Sequence, residues 1–118
     1  MRILVVDDNQ MIRDGITTLL SAEPNWEVCG EAENGSEALQ KTRQLHPDLI
    51  LLDVSMPGIN GLAVTRLIRH DFPRIKILVM SNHDLVQLLP SVVEAGGDGC
   101  VDKTRLVTGL LDSIKTIL

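Results

Sequence analysis

Short apolar runs alternate with longer stretches of helical period along this chain, and the alternation repeats five times. The runs cover residues 3–6, 26–30, 49–52, 75–80 and 99–101. Continuous apolar runs of this length fit strands buried on both faces, because a strand with one wet face alternates apolar and polar residues. The run at 26–30 is the least apolar and fits an edge strand.

The segments between the runs carry helix signals. Asn9 is a candidate N-cap, with Ile12, Ile16, Leu19 and Leu20 on one face until Pro24. Ser36 precedes Glu37, Ala38, Leu39 and Leu45 in a helix ending before Pro47, and Asn60 opens one carrying Leu62, Val64, Leu67 and Ile68, closed before Pro73. A pattern at 85–95 is weakened by Pro90, which removes a helical hydrogen bond. Thr104 opens the last helix, with Leu106, Val107, Leu110, Leu111, Ile114 and Ile117 directed inward.

Five such units in 118 residues average about 24 residues each, the span of a strand, a loop and a helix, within one domain. Alternating buried strands and helices predict an α/β fold, a doubly wound five-stranded parallel sheet with right-handed crossovers. Ligands of such sheets bind outside the carboxyl ends of the strands.

Composition narrows the possible partners. Eleven basic against sixteen acidic residues leave a net charge of −5, which argues against a nucleic-acid grip by this domain. Trp26 and Phe72 are the only aromatic residues, so there is no platform for stacking single-stranded bases. No apolar run approaches the ~18 residues of a membrane span. Cys29 and Cys100 form no metal or redox spacing. A reduced, cytoplasmic domain is expected.

The residues following the apolar runs carry the chemistry. The first run ends at Asp7 and Asp8, the third at Asp53, the fourth at Ser81, and the fifth at Asp102 and Lys103. If the first and third strands are neighbours, three carboxylates converge at one sheet edge. Like charges so crowded need a cation, and a hard divalent ion held by carboxylates and water answers that need. Lys103 then adds a point charge and Ser81 a directional donor, the parts of a phosphoryl-transfer site with a carboxylate as nucleophile. Taken singly, each residue has a plainer reading. Asp7 and Asp8 also fit a helix-start charge cluster, Asp53 a turn residue before Met56-Pro57-Gly58, and Lys103 a solvated lysine.

Together these residues resemble the receiver domain of bacterial two-component response regulators, and the resemblance spans the chain. Its marks are Asp7-Asp8-Asn9, Asp53-Val54-Ser55-Met56-Pro57-Gly58-Ile59-Asn60-Gly61, Val79-Met80-Ser81, and Ala95-Gly96-Gly97-Asp98-Gly99 running into Lys103. Arg13-Asp14-Gly15-Ile16, Val28-Cys29-Gly30-Glu31-Ala32 and Ser81-Asn82-His83 resemble the branch with a C-terminal helix-turn-helix (LuxR/NarL/FixJ-like). The resemblance implies a flavodoxin/CheY-like sheet of order 2-1-3-4-5 with five helices. It implies a single receiver domain over residues 1–118, with no output domain in the chain.

The same resemblance implies that Asp53 accepts a phosphoryl group from a phosphohistidine on a sensor histidine kinase. Asp8, Asp53 and the backbone carbonyl of Ser55 would bind Mg²⁺, with Asp7 acting mainly through a metal-bound water. Ser81 and Lys103 would bind the phosphoryl oxygens. Such a domain catalyses its own phosphorylation and dephosphorylation without being an enzyme in the usual sense. It would switch a dimerisation or output surface within residues 85–118, and so control transcription through the missing output domain. That strand order also puts Cys29 and Cys100 on opposite edges, four spacings of about 4.8 Å apart, beyond the ~7 Å reach of a disulfide.

Three positions bear on how such a switch is tuned. Cys100 stands where the family usually carries an aromatic residue that reports the switch. Ser55 and His83 each follow a site residue by two positions, and the resemblance implies that such positions border the path of the hydrolytic water and tune the lifetime of the phosphoryl group. Pro90 falls inside the helix often used for partner contact. Arg66, Arg69, His70, Arg74 and Lys76 form the only basic concentration, read here as a solvated helix end.

Rival classes fit less well. An aspartyl-phosphate hydrolase would space its first carboxylates as Asp-x-Asp, and a flavodoxin-like cofactor binder would carry a phosphate loop after the first strand. A receiver-like module that binds partners without phosphorylation remains the alternative.

Overall fold

Aliphatic residues at both phases of the three central strands force the sheet into the middle of the molecule. The computed structural model describes residues 1–55, 60–82 and 84–118. Strands β1 (Arg2–Val6), β2 (Glu27–Ala32), β3 (Leu49–Asp53), β4 (Lys76–Ser81) and β5 (Gly99–Asp102) alternate with helices α1 (Gln10–Leu20), α2 (Gly35–Leu45), α3 (Gly61–Asp71), α4 (Leu85–Ala95) and α5 (Leu106–Ile117). The strands form one parallel sheet of order β2-β1-β3-β4-β5, the expected topology.

Strand periodicity sorts the core into two layers. Leu4, Val6, Ile50, Leu52, Ile77 and Val79 meet Ala38, Val64, Ile68 and Val92 from α2, α3 and α4. The alternate residues Ile3, Val5, Leu49, Leu51, Leu78 and Met80 meet Ile16 and Leu20 of α1 and Leu110 and Ile114 of α5. Fully burying a Leu, Ile or Val side chain contributes roughly 1.5–3 kcal/mol, so these layers dominate the stability of the scaffold beneath the strand ends.

The structure departs from the sequence expectation at several positions. Strand β2 extends through Ala32 rather than stopping at Gly30, with Glu31 and Ala32 paired to Val5 and Val6, and the β1–β2 register shifts between Ile3 and Leu4. Ile3 faces Val28 while Leu4 faces Gly30, so Cys29 is the extra residue of a bulge on the edge strand. Asn34, not Ser36, caps α2 by accepting a hydrogen bond from the Glu37 amide. Asp102 accepts from the Thr104 amide at 2.8 Å and opens a 3₁₀ turn, Lys103–Arg105, ahead of α5. Val107, assigned inward, is exposed, as is Leu67 of α3.

Arg69 is no solvated helix end. Its guanidinium donates to the carbonyls of Gly96 and Pro73, both at 2.7 Å, and to Asp98 Oδ2 at 2.8 Å. Asp98 Oδ2 also accepts from the Ile77 amide. One side chain therefore ties α3 to the α4–β5 turn and the start of β4. Both cysteines are free and stand on opposite edge strands, as the strand order requires. No helix among the described residues is long and apolar enough to cross a membrane.

Helix α4 runs through Pro90 without interruption. Proline lacks the amide that would bond the Val86 carbonyl, and both residues are exposed, so that carbonyl lies on the solvent side of the helix. The first turn is held instead by Asp84, whose side chain accepts from the Val86 amide and whose carbonyl accepts from Leu88. Hydrogen exchange is expected to be faster over residues 85–89 than in the matching turns of α1 and α3. Equal protection would show that Pro90 does not loosen the helix.

Candidate functional site

Register brings the strand ends together. Val6 pairs with Leu52, Asp53 with Met80, and Ser81 with Asp102, so the residues at or just beyond these ends stand side by side. Asp7 and Asp53 are fully buried, Ser81 is buried at the end of β4, and Asp8 is exposed at the mouth. Lys103 reaches in from beyond β5, its ammonium 2.7 Å from Asp7 Oδ2 and 3.0 Å from Asp53 Oδ2.

Each carboxylate is oriented by nearby backbone. Asp7 Oδ1 accepts from the Asn9 amide at 2.9 Å, and Asp53 Oδ1 from the Ser55 amide at 2.8 Å. Asn9 in turn caps α1, its side chain accepting from the Met11 and Ile12 amides. On the other side, α3 begins tight against β3. A Cβ on Gly61 would stand 2.5 Å from Val54 Cα and 2.8 Å from the Asp53 carbonyl oxygen, so the residue there must be glycine for the segment after Asp53 to lie this close.

Asp7, Asp8 and Asp53 each bring a carboxylate oxygen within 4.8 Å of the others. Asp7 Oδ2 is buried, and the Lys103 ammonium at 2.7 Å is the one charge set against it among the described residues. Three carboxylates against one ammonium leave two formal negative charges, the charge a divalent cation neutralises. An all-oxygen donor set with an accessible mouth fits a hard ion such as Mg²⁺ rather than a thiophilic metal.

The remaining sequence candidates separate into two groups. Ser81 joins the site, and Ser55 borders it through its amide bond to Asp53. Cys100 lies on β5 facing the α4–α5 side, away from the carboxylates, where it lines a cavity of about 400 Å³ with Leu85, Val86, Leu89 and Ile117. Burial raises its thiol pKa, which makes it a poor nucleophile at neutral pH. Asp102 turns away from the site to cap the 3₁₀ turn. His83 and the segment 56–59, with its Met-Pro-Gly sequence, lie outside the described residues.

Arg13 was visible in the sequence only as part of a motif, yet it is a buried charge beside the site. Its Nε pairs with Glu31 Oε1 at 2.9 Å, while its terminal nitrogens donate to the Asp7 carbonyl and to Gln10 Oε1. The available signal was spacing: residues 13, 16 and 20 share the buried face of α1, and a charged residue on such a face needs partners.

A five-stranded parallel sheet with an acidic cluster and a lysine at its carboxyl edge defines a class of protein, and comparison with known proteins agrees. The family described as response regulator receiver domain matches residues 3–115. The chain belongs to that family. It is 32 % identical over 117 residues to the transcriptional regulatory protein DegU of Brevibacillus brevis, covering 99 % of this chain and 50 % of that one. It is 35 % identical over 115 residues to the response regulator protein VraR of Staphylococcus aureus (strain NCTC 8325 / PS 47), covering 98 % and 55 %. The chain thus spans about half the length of these curated relatives.

Among solved structures, a two-component response regulator of the LuxR family from Aurantimonas sp. SI85-9A1 superposes with a TM-score of 0.92 at 32 % identity, over 98 % of this chain and 83 % of that one. The response regulator domain of Thermotoga maritima CheB superposes with a TM-score of 0.88 at 25 % identity, over 99 % and 95 %. The chain is therefore a receiver domain of two-component response regulators, related to transcription regulators.

Burial opposes the charge on Lys103, but Asp7 and Asp53 outweigh it and raise its pKa above the ordinary lysine value. A raised folded-state pKa means the pairing contributes its full stability below the free-lysine value of about 10.4. That stability is lost as pH rises through the folded value. In alkaline unfolding, the metal-free parent should lose stability more steeply above this range than Lys103→Met. Parallel curves would show that the ammonium is not held by the two carboxylates.

Proposed function

We propose that this receiver takes a phosphoryl group onto Asp53 from a phosphohistidine of a sensor histidine kinase, with Mg²⁺ required. The observation that carries the reading is the buried Asp53 carboxylate sharing the Lys103 ammonium with Asp7, beside the exposed carboxylate of Asp8. In the transfer, a carboxylate oxygen of Asp53 forms a bond to phosphorus as the phosphorus–nitrogen bond of the donor breaks. The electron pair leaves with the imidazole.

The chain's own groups divide the work. Lys103 supplies a fixed positive charge for the phosphoryl oxygens, already desolvated and so needing little rearrangement. Ser81 supplies a hydroxyl at the adjacent strand end. Asp8, Asp53 and the Ser55 carbonyl would hold Mg²⁺, with Asp7 acting through a metal-bound water. When bound, the ion neutralises charge building on the phosphoryl group. Later attack by water on the acyl phosphate returns the free carboxylate and releases inorganic phosphate; Ser55 and His83, each two residues along the sequence from a site residue, would tune that rate.

Once Asp53 carries a phosphoryl group, Lys103 and Ser81 acquire a new partner. Any preference of that partner for one arrangement of β4, β5 and α4 shifts a two-state equilibrium. The readout is a changed surface over α4, β5 and α5, with homodimerisation as its expected consequence, serving a helix-turn-helix output domain that controls transcription.

Intact mass after incubation with acetyl phosphate and Mg²⁺ tests the reading. One phosphoryl adduct is expected on the parent, and none on Asp53→Ala or on a metal-free sample. An adduct retained by Asp53→Ala would overturn Asp53 as acceptor. No adduct on a parent that binds Mg²⁺ would favour a module that binds partners without phosphorylation.

A further inference from the structure

Asp8 is the one carboxylate of the acidic trio that nothing orients directly. It is exposed, and among the described residues its side chain makes no hydrogen bond or ion pair. Its position is therefore set by its backbone alone. The peptide group joining Asp7 to Asp8 is planar, so whatever fixes the Asp7 carbonyl oxygen also fixes the nitrogen and Cα of Asp8.

That carbonyl is gripped by Arg13. The guanidinium reaches back from the first turns of α1, donates to the Asp7 carbonyl, and is itself held by Glu31 and Gln10. Glu31 belongs to β2, and its backbone carbonyl accepts from Lys41 of α2, which also pairs with Glu37 at 3.2 Å. The Asp7 amide meanwhile donates to the Ala32 carbonyl at 3.0 Å. Both peptide groups flanking the Asp7 Cα are thus tied to β2, one directly and one through Arg13.

Resting on the proposed Mg²⁺ site, the geometry points to Arg13 as a positioning residue for the metal: it orients the Asp7–Asp8 peptide so that the Asp8 carboxylate faces Asp53. Arg13 touches neither the metal nor the phosphoryl group in this role. A guanidinium suits it because its planar fork serves the carbonyl, the Gln10 oxygen and the Glu31 carboxylate at once, whereas a lysine ammonium offers no such fork.

Calorimetric titration of Mg²⁺ onto the 118-residue chain, with melting followed separately, tests the role. Groups that orient metal ligands from behind typically change affinity by about tenfold or more. Arg13→Ala and Arg13→Lys are each expected to weaken Mg²⁺ binding by about that factor. Arg13→Lys should do so while keeping its cooperative melt. Glu31→Gln, which leaves Arg13 present but poorly anchored, is expected to weaken binding in the same direction by a smaller factor, and it carries the test if an Arg13 variant fails to fold.

A lower melting temperature with Mg²⁺ affinity within twofold of the parent would overturn the role, since a merely structural arginine affects stability alone. Failure of the underlying metal site would look different. The parent itself would then bind no Mg²⁺, or Asp8→Asn would bind it as well as the parent.

Discussion

Everything at the working edge of this molecule follows from placing Asp7 and Asp53 out of water on adjacent strands. Charges in such a position are tolerated only with a partner inside the same enclosure. Lys103 is that partner, and it arrives from the far end of the sheet, beyond β5. One ammonium shared by two carboxylates leaves a negative balance to which Asp8 adds. The site is therefore built to attract a cation, and a group whose oxygens can draw on Lys103 will compete with the carboxylates for it.

The rest of the fold holds that enclosure in place. The two apolar layers fix the strand ends relative to one another, Asn9 and Ser55 amides orient the buried carboxylates, and Gly61 lets α3 close against the end of β3. Arg13 and Arg69 act at opposite ends of the sheet. Arg13 ties α1 and β2 to Asp7, and Arg69 ties α3 to the α4–β5 turn. Helix α4 is fastened differently: Pro90 interrupts its ladder, and Val86, Leu89 and Val93 are exposed. The carboxyl ends of β1 and β3 are thus held by more cross-element contacts than the outer face of α4.

Most of this architecture was legible in the sequence because buried parallel strands leave uninterrupted aliphatic runs, and the site residues follow those runs directly. The strand ends Asp7, Asp53, Ser81 and Lys103 could be found without knowing any contact. What escaped the reading was set by tertiary geometry. Strand β2 carries a bulge at Cys29 and continues through Glu31, which anchors Arg13. Arg69 resembled the cation at a helix end, and only the approach of the α4–β5 turn shows that it is a latch. Val107 lies on the apolar stripe of α5 by spacing, yet it stands exposed in the first turn of the helix, just after the 3₁₀ turn.

Thermal unfolding with and without Mg²⁺ tests the central claim most directly, because any ligand bound by the folded state alone raises the melting temperature. Millimolar Mg²⁺ should stabilise the parent and leave Asp8→Asn unchanged, with Na⁺ at equal ionic strength giving no such effect. Identical melting of the parent in both salts would mean that Lys103 alone satisfies the buried carboxylates, and the account of the strand-end cluster as a divalent-cation site would be wrong.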